Sequence, residues 1–201
     1  MKLYYSPGTC SLVSHILLRE IGTEFELARV DLRSHRIEDG RPLAQVNDRD
    51  QVPVLERAPG DVLTEGAVIA QYIVESAGDT VLLPPAGEAR YRVLEWQAFI
   101  GTELHKGFSP LFDAGLDDAA RAHLRARLRG RFEWLEGRLA GREYLVDSGY
   151  SLADAYLFVV AGWARLVALD LSDLGNLQAL LARVARRPAV QAALRAEGLT
   201  R

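Results

Sequence analysis

The stretch that decides the fold lies near the start of the chain, where residues 2–13 have the sequence KLYYSPGTCSLV. Its first four residues favour a short strand, the Ser-Pro-Gly sequence of residues 6–8 favours a turn, and an apolar repeat of helical spacing begins at Leu12. The stretch therefore predicts a strand, a turn and a helix in succession, with Cys10 at the point where the helix begins.

Cys10 is the only cysteine of the chain. Backbone N–H groups without helical acceptors and the helix dipole favour an anion at a helix start, so we expect the pKa of the Cys10 thiol to fall and its thiolate to be accessible. The alternative is a small hydrophobic residue in a core. Because a Pro-Gly turn comes shortly before Cys10, we favour the chemical interpretation.

The composition is that of an ordinary soluble globular protein. The chain has 201 residues, of which 49% are hydrophobic and 25% charged, enough for one sizeable core or two small ones. A net charge of −3, from 24 basic and 27 acidic residues, gives no indication of a nucleic-acid partner. We find no apolar run of membrane-spanning length and no signal-peptide pattern, so we expect no membrane partner. A single cysteine excludes an intrachain disulfide and fits a reducing cytoplasm.

Residues 1–80 alternate between strand-like and helical patterns and predict a small α/β domain. We expect Thr64 to cap the second of its helices. The predicted elements are strands at residues 2–5 and 25–31, a hairpin over residues 52–64, and helices at residues 12–21 and about 65–77.

A proline- and glycine-containing stretch at residues 82–87 predicts a linker. Beyond it, over residues 88–201, helical patterns dominate and no strand pattern of any strength appears. We therefore predict that an all-α domain follows the α/β domain.

Two short motifs in the first domain are candidates for binding a ligand. Pro53 stands at a strand start, where it is an ordinary turn residue unless a cis bond leaves the backbone of Val52 facing a ligand. Glu65 would either compensate the dipole of the second helix or hold a ligand's ammonium group, while the N–H of Gly66 receives its carboxylate.

Two further motifs lie in the second domain. The run Glu103-Leu104-His105-Lys106 is either a solvated surface or a place where a histidine titrating near neutrality donates to a sulfur or an oxyanion. Ser151 and Asp154 form a capping-box pattern, which we interpret as structural rather than catalytic. We find no metal-ligand spacing and no phosphate-binding glycine loop.

Together these motifs resemble the cytosolic glutathione transferases, most closely the bacterial beta class, over essentially the whole chain. That family has a thioredoxin-like domain with a cis proline, followed by a helical domain, and assembles as a homodimer. The motifs that carry the resemblance are residues 2–12, Gln51-Val52-Pro53, residues 63–66, residues 103–107, residues 151–158 and residues 187–199.

The resemblance implies roles for residues of the first domain. Cys10 would face the glutathione sulfur and form a mixed disulfide with it, and Val52 would pair through its backbone with the cysteinyl part. Glu65 and Gly66 would bind the γ-glutamyl end. His35 stands where the family often has a lysine that contacts the glycyl carboxylate.

The resemblance also implies that Thr102, Glu103 and His105 line the glutathione site from the helical domain, with Glu103 reaching a neighbouring subunit. Lys106 matches the same motif. His105 would act beside Cys10 in catalysis. Ala98 stands where the family has an asparagine near the sulfur.

The function implied is that of a cytoplasmic, homodimeric detoxification enzyme that conjugates the glutathione thiolate to small electrophilic compounds. Glutathione would be its co-substrate, with no metal, and Cys10 would also permit thiol–disulfide exchange. Two alternatives stay open. One is a glutathione-dependent thiol oxidoreductase on the same fold, and the other is a non-catalytic glutathione-binding or regulatory protein, which the changes at His35 and Ala98 would permit.

Overall fold

The computed structural model describes residues 1–200, which form two compact units. The first contains residues 1–83 together with the end of the chain from residue 186, and the second contains residues 84–185. The sequence-based division instead assigned all of residues 88–201 to the helical domain. The last helix joins the first unit because it packs against the first helix, and Glu197, the residue that follows it, lies 2.8 Å from the buried His15.

The first unit is built on a five-stranded mixed sheet in the order β3-β2-β1-β4-β5. β1 and β2 are parallel, and the remaining neighbours are antiparallel. A parallel pair needs a crossover, which the first helix supplies. The strands are β1 (Lys2–Tyr5), β2 (Glu26–Asp31), β3 (Arg36–Ile37), β4 (Val54–Ala58) and β5 (Asp61–Leu63), and the helices are α1 (Ser11–Glu20), α2 (Gly66–Ser76) and, at the end of the chain, α8 (Pro188–Ala196).

The strand, turn and helix predicted for residues 2–13 are confirmed. Leu3 on β1 and Ile16 and Leu17 on α1 are fully buried, as the apolar repeat requires. Gly22, with φ +67°, follows the end of α1 in the left-handed conformation that glycine adopts readily. The α/β character of this part of the chain is therefore a local property of its sequence.

The start of α2 differs from the prediction. α2 begins at Gly66, and the residue before it is Glu65 rather than the expected cap Thr64. Glu65 has φ 65° and ψ 108°, and no side chain caps the helix. The reason is that the chain turns sharply at Glu65, so Thr64 lies one residue too early to reach the amide groups of the first turn.

The second unit is entirely helical in its long elements, as predicted. A six-residue π-helical segment, Ile100–His105, continues directly from α3 and carries three of the predicted site residues. Buried Phe108 and Phe132 contribute to the core of this unit. Its helices are α3 (Gly87–Phe99), α4 (Lys106–Phe108), α5 (Asp118–Arg138), α6 (Leu152–Ala161) and α7 (Gly175–Ala185).

The capping box at the start of α6 is confirmed. Asp154 accepts hydrogen bonds from the N–H and hydroxyl groups of Ser151, both at 2.8 Å, and from the N–H of Leu145 at 2.9 Å. Burial raises the pKa of Asp154 from 3.8 to about 6. These contacts tie the preceding loop to the helix and agree with a structural role. Across residues 1–200, none of the helices combines the length and the apolar character needed to cross a bilayer.

Candidate functional site

Cys10 lies immediately before α1, at the position expected from the sequence. Its thiol donates to the carbonyl oxygen of Val52 at 3.5 Å, and the Val52–Pro53 peptide bond is cis. The carbonyl favours the protonated thiol, whereas the helix dipole favours the thiolate. The structure therefore joins two predicted site residues that are 42 positions apart in the chain.

The first turn of α1 corrects one expectation about Cys10. The N–H of Ser11 donates to the hydroxyl of Thr9 at 3.4 Å, that of Leu12 to the Thr9 carbonyl at 3.0 Å, and that of Val13 to the Cys10 carbonyl at 3.1 Å. These three amides are already engaged, so the expectation of unpaired N–H groups around the sulfur was wrong for them. The helix dipole is what remains to favour an anion.

The loop before Cys10 is held by Glu197, the residue that follows α8. Gly8, with φ 72°, donates its N–H to Glu197 Oε2 at 2.9 Å, and the other carboxylate oxygen lies 2.8 Å from Nδ1 of His15. Arg19 Nε donates to Nε2 of His15 at 2.9 Å, so the proton lies on Nδ1 and is donated to Glu197. Sequence reasoning missed this network because Gly8 and Glu197 are 189 residues apart.

The start of α2 extends the same surface. A Cβ atom built on Gly66 would lie 3.5 Å from Cγ of Pro53, an ordinary contact. As the first residue of α2, Gly66 has one of the N–H groups that lack a helical acceptor. Cys10, Val52, Pro53 and Gly66 thus lie next to one another, and we call them the Cys10–Gly66 surface.

Glu65 borders this surface and forms an ion pair with Arg49. Both side chains are largely exposed. A non-glycine residue at φ 65° is strained, and such residues cluster at functional sites. Arg49 was not assigned a role from the sequence. The only signal for it was a basic residue in the loop that precedes Gln51-Val52-Pro53.

His35 contacts the loop that precedes Gln51-Val52-Pro53. Its Nδ1 lies 2.8 Å from Oδ2 of Asp50, and both residues have φ 54°. The side chain of Asn47 donates to the carbonyl of Gln51 at 2.9 Å and closes the loop. In the structure His35 therefore contacts the loop that leads to Val52.

In the helical unit, His105 lies in an aromatic cluster. Its Nδ1 is 2.7 Å from the hydroxyl of Tyr156, and its ring centre is 4.9 Å from that of Trp163. Phe108 and Phe112 also pack edge-on against Trp163. Tyr156 received no role from the sequence, because it is 51 residues from His105 and no local pattern links them.

The titration of His105 differs from the expectation. Burial, and secondarily the charge of Lys106, lower the pKa of His105 from 6.5 to about 4. The imidazole is therefore neutral at physiological pH, and the expectation of a histidine titrating near neutrality was wrong. It can still donate one hydrogen bond.

Thr102, Glu103 and Lys106 line a different recess, a cleft of about 270 Å³ against α5. Glu103 pairs at 2.8 Å with Arg131, and the hydroxyl of Thr102 donates to the carbonyl of Ala98 at 3.1 Å. His105 does not line this cleft. Glu103 therefore pairs with a side chain of its own chain, and His105 lies apart from the cleft that the other three motif residues line.

Comparison with known proteins gives one consistent result. The glutathione S-transferase N-terminal domain model matches residues 1–75, and the corresponding C-terminal domain model matches residues 99–188. Glutathione S-transferase GstA of Escherichia coli O157:H7 is 44% identical over 99% of this chain and 100% of its own length. Two solved structures, a sphingomonad glutathione S-transferase complexed with glutathione and the beta class enzyme of Sphingomonas chungbukensis, are each 41% identical over 100% of both chains, with a TM-score of 0.94.

Proposed function

This chain belongs to the glutathione S-transferase family, and on that premise we propose that it binds glutathione on the Cys10–Gly66 surface and transfers its thiolate to small electrophiles. The observation that carries the assignment of the site is the contact of the Cys10 thiol with the Val52 carbonyl beside the cis proline. It places a sulfur, a backbone acceptor and the start of a helix side by side in one unit.

The γ-glutamyl end of glutathione carries both an ammonium and a carboxylate. Glu65 supplies a negative charge for the ammonium, and the N–H of Gly66 supplies a donor for the carboxylate. Arg49 pairs with Glu65, so the ligand's ammonium would compete with an intramolecular cation. The sphingomonad relative that was solved with glutathione supports this choice of ligand.

The cysteinyl part of glutathione would bind at Val52. Its N–H would take the carbonyl of Val52 as acceptor in place of the Cys10 thiol. That exchange would remove the contact that favours the protonated thiol and leave Cys10 facing the sulfur of the ligand. In this proposal, glutathione binding and deprotonation of the Cys10 thiol would be coupled through the carbonyl oxygen of Val52.

Two reactions are open to such a site. In conjugation, the glutathione thiolate attacks the electrophilic carbon, and the leaving group departs with the bonding electrons. In exchange, the Cys10 thiolate attacks a glutathione disulfide, forms a new S–S bond and releases the other sulfur as a thiolate. We propose conjugation as the main activity. A cysteine in place of a hydroxyl favours thiol oxidoreduction as the second candidate.

Other parts of the proposal come from the family resemblance. We propose that Thr102, Glu103, His105 and Lys106 contribute to glutathione binding, and His35 through the loop it contacts. We also propose a homodimer in which Glu103 exchanges its Arg131 partner for a contact across the subunit boundary. The cytoplasm, where glutathione is kept reduced, is the proposed location.

Three measurements on the purified protein test this function. Calorimetry with glutathione measures binding, turnover of an activated aryl chloride measures conjugation, and reduction of a glutathione mixed disulfide measures exchange. Conjugation faster than exchange is the expected result. Exchange alone would identify an oxidoreductase, and binding with neither activity would identify a binding protein.

The assembly is tested separately by light scattering over a dilution series. We expect a species of twice the 22.2 kDa chain mass at concentrations where the enzyme is active. An active species of 22.2 kDa at those concentrations would exclude any role of Glu103 in a neighbouring subunit.

A further inference from the structure

Tyr156, on α6, contacts the imidazole of His105, and the sequence assigned it no role. Its hydroxyl oxygen lies 2.7 Å from Nδ1, and the two rings meet edge-on with centres 5.9 Å apart. The hydroxyl also lies beside the backbone of the π-helical segment, where a Cβ on Gly101 would come within 3.6 Å of it. The hydroxyl therefore lies close to the backbone of this segment as well as to the imidazole.

A neutral imidazole has a single N–H group, on either Nδ1 or Nε2, and the other nitrogen is an acceptor. Above a pH of about 5 His105 is neutral, because its pKa is about 4. Which nitrogen carries the proton decides whether His105 presents a donor or a base at Nε2. The hydrogen bond at Nδ1 settles that choice.

The chemistry of the two groups gives the direction of the hydrogen bond. A phenol O–H is a far stronger acid than a neutral imidazole N–H, and an imidazole nitrogen is a far stronger base than a phenol oxygen. The hydroxyl of Tyr156 is therefore the donor and Nδ1 the acceptor. The proton of His105 then lies on Nε2.

We propose that Tyr156 is a positioning residue that holds His105 as the Nε2–H tautomer, so that His105 serves the transferase as a neutral hydrogen-bond donor and not as a general base. The edge-on contact with Trp163 at 4.9 Å restrains the ring plane, and the tyrosine fixes the proton. The relevance to turnover rests on the proposed function, whereas the tautomer does not. With the proton on Nε2, His105 has no lone pair there to accept a proton from a thiol.

The tautomer is measured directly by nuclear magnetic resonance of protein labelled with ¹⁵N in its four histidines. A two-bond ¹H–¹⁵N correlation at neutral pH distinguishes a protonated from an unprotonated ring nitrogen. The His105 signals are assigned by their loss in His105→Asn. We expect a protonated Nε2 and an unprotonated Nδ1 in the wild-type protein. A protonated Nδ1 would overturn the proposal without any variant of Tyr156.

Tyr156→Phe removes the hydroxyl and keeps the ring. Because an ordinary hydrogen bond biases an equilibrium about tenfold, we expect the ratio of the two tautomers of His105 to fall by about that factor. Tyr91→Phe is the matched control, since Tyr91 lies on α3 and is 67% exposed. A His105 spectrum unchanged by Tyr156→Phe would refute the positioning role.

Kinetics with glutathione and an activated aryl chloride separate this inference from the proposed function. We expect Tyr156→Phe to lower kcat several-fold with little change in the KM for glutathione, because the donor is lost from only part of the population. A raised KM at unchanged kcat, together with an unchanged His105 spectrum, would make Tyr156 a binding contact and overturn the positioning role. A wild-type protein that shows the Nε2–H tautomer and no turnover would refute the transferase function alone.

Discussion

Replacing Glu65 by glycine is expected to stabilise the fold and weaken glutathione binding at the same time. Glu65 has φ 65° and ψ 108° immediately before α2, a conformation that costs a non-glycine residue about 1–3 kcal/mol. Glycine, which has no Cβ, adopts a positive φ with less strain than other residues. The presence of glutamate there is explained if its carboxylate is needed for the ligand.

The expected change in stability follows from three opposing contributions. Relief of strain adds about 1–3 kcal/mol to the free energy of unfolding, and the extra freedom of glycine in the unfolded chain removes about 0.5–1 kcal/mol. Loss of the exposed ion pair with Arg49 removes about 0–1 kcal/mol. We therefore expect a net gain of about 1 kcal/mol, or roughly 2–4 °C in Tm for a chain of this size.

Glu65→Ala is the matched control, because it loses the same carboxylate and keeps the strain. We expect the glycine variant to be more stable than the alanine variant by about 1 kcal/mol. Both should bind glutathione about 10- to 150-fold more weakly, since a hydrogen bond to a charged group contributes about 1.5–3 kcal/mol.

Unfolding is followed by circular dichroism in denaturant at one fixed protein concentration, and binding is measured by calorimetry with glutathione. An alanine variant at least as stable as the glycine variant would refute the strain argument. Unchanged glutathione affinity in either folded variant would remove Glu65 from the binding site. The two conclusions are independent, because stability and affinity are measured separately.

Three other substitutions test the remaining assignments. Wild-type protein incubated with oxidised glutathione should gain one glutathionyl mass that dithiothreitol removes, whereas Cys10→Ala should gain none. If the wild-type protein takes up no glutathione, Cys10 is a packing residue and not a reactive thiol. Glu197→Ala should lower the free energy of unfolding by about 3 kcal/mol, because it removes the buried carboxylate that accepts from both His15 and Gly8. It should also slow glutathionylation of Cys10 by releasing the Gly8 loop, and equal rates in both proteins would separate Glu197 from the site. The buried carboxyl of Asp154 has a pKa raised from 3.8 to about 6, so the folded protein holds this proton more tightly than the unfolded chain does. The free energy of unfolding should therefore fall as the pH rises from about 4 to about 6. Asp154→Ala should remove this dependence, which denaturant melts at several pH values would check.

The long helices and the strands near residues 2–13 are predictable because their signals are local. Apolar spacing, the Gly22 terminator and the Ser151–Asp154 capping box each act within a few residues, and the structure confirms them. The predicted cap at Thr64 was wrong because the start of α2 is set by a feature that is not local. A left-handed turn at a glutamate is not a local preference, so no pattern of residue types indicates it.

The structure brings the predicted residues Cys10, Val52 and Gly66 together on one surface, whereas Thr102, Glu103 and Lys106 line a cleft that does not include His105. The partners of those residues were not predictable. Arg49 beside Glu65 depends on how a loop closes, and Tyr156 beside His105 depends on how α6 packs on the π-helical segment.

The sequence by itself determined the order of elements, the position of the cysteine at a helix start and the likeness to one enzyme family, because each of these is written in neighbouring residues. The tertiary structure alone decided the chemical states of His105 and Cys10 and the contact that holds the Gly8 loop. Burial makes His105 neutral, the Val52 carbonyl accepts from the Cys10 thiol, and Glu197 reaches Gly8 across 189 residues. Desolvation and hydrogen-bond geometry depend on which distant atoms surround a group, and only the folded chain specifies those neighbours.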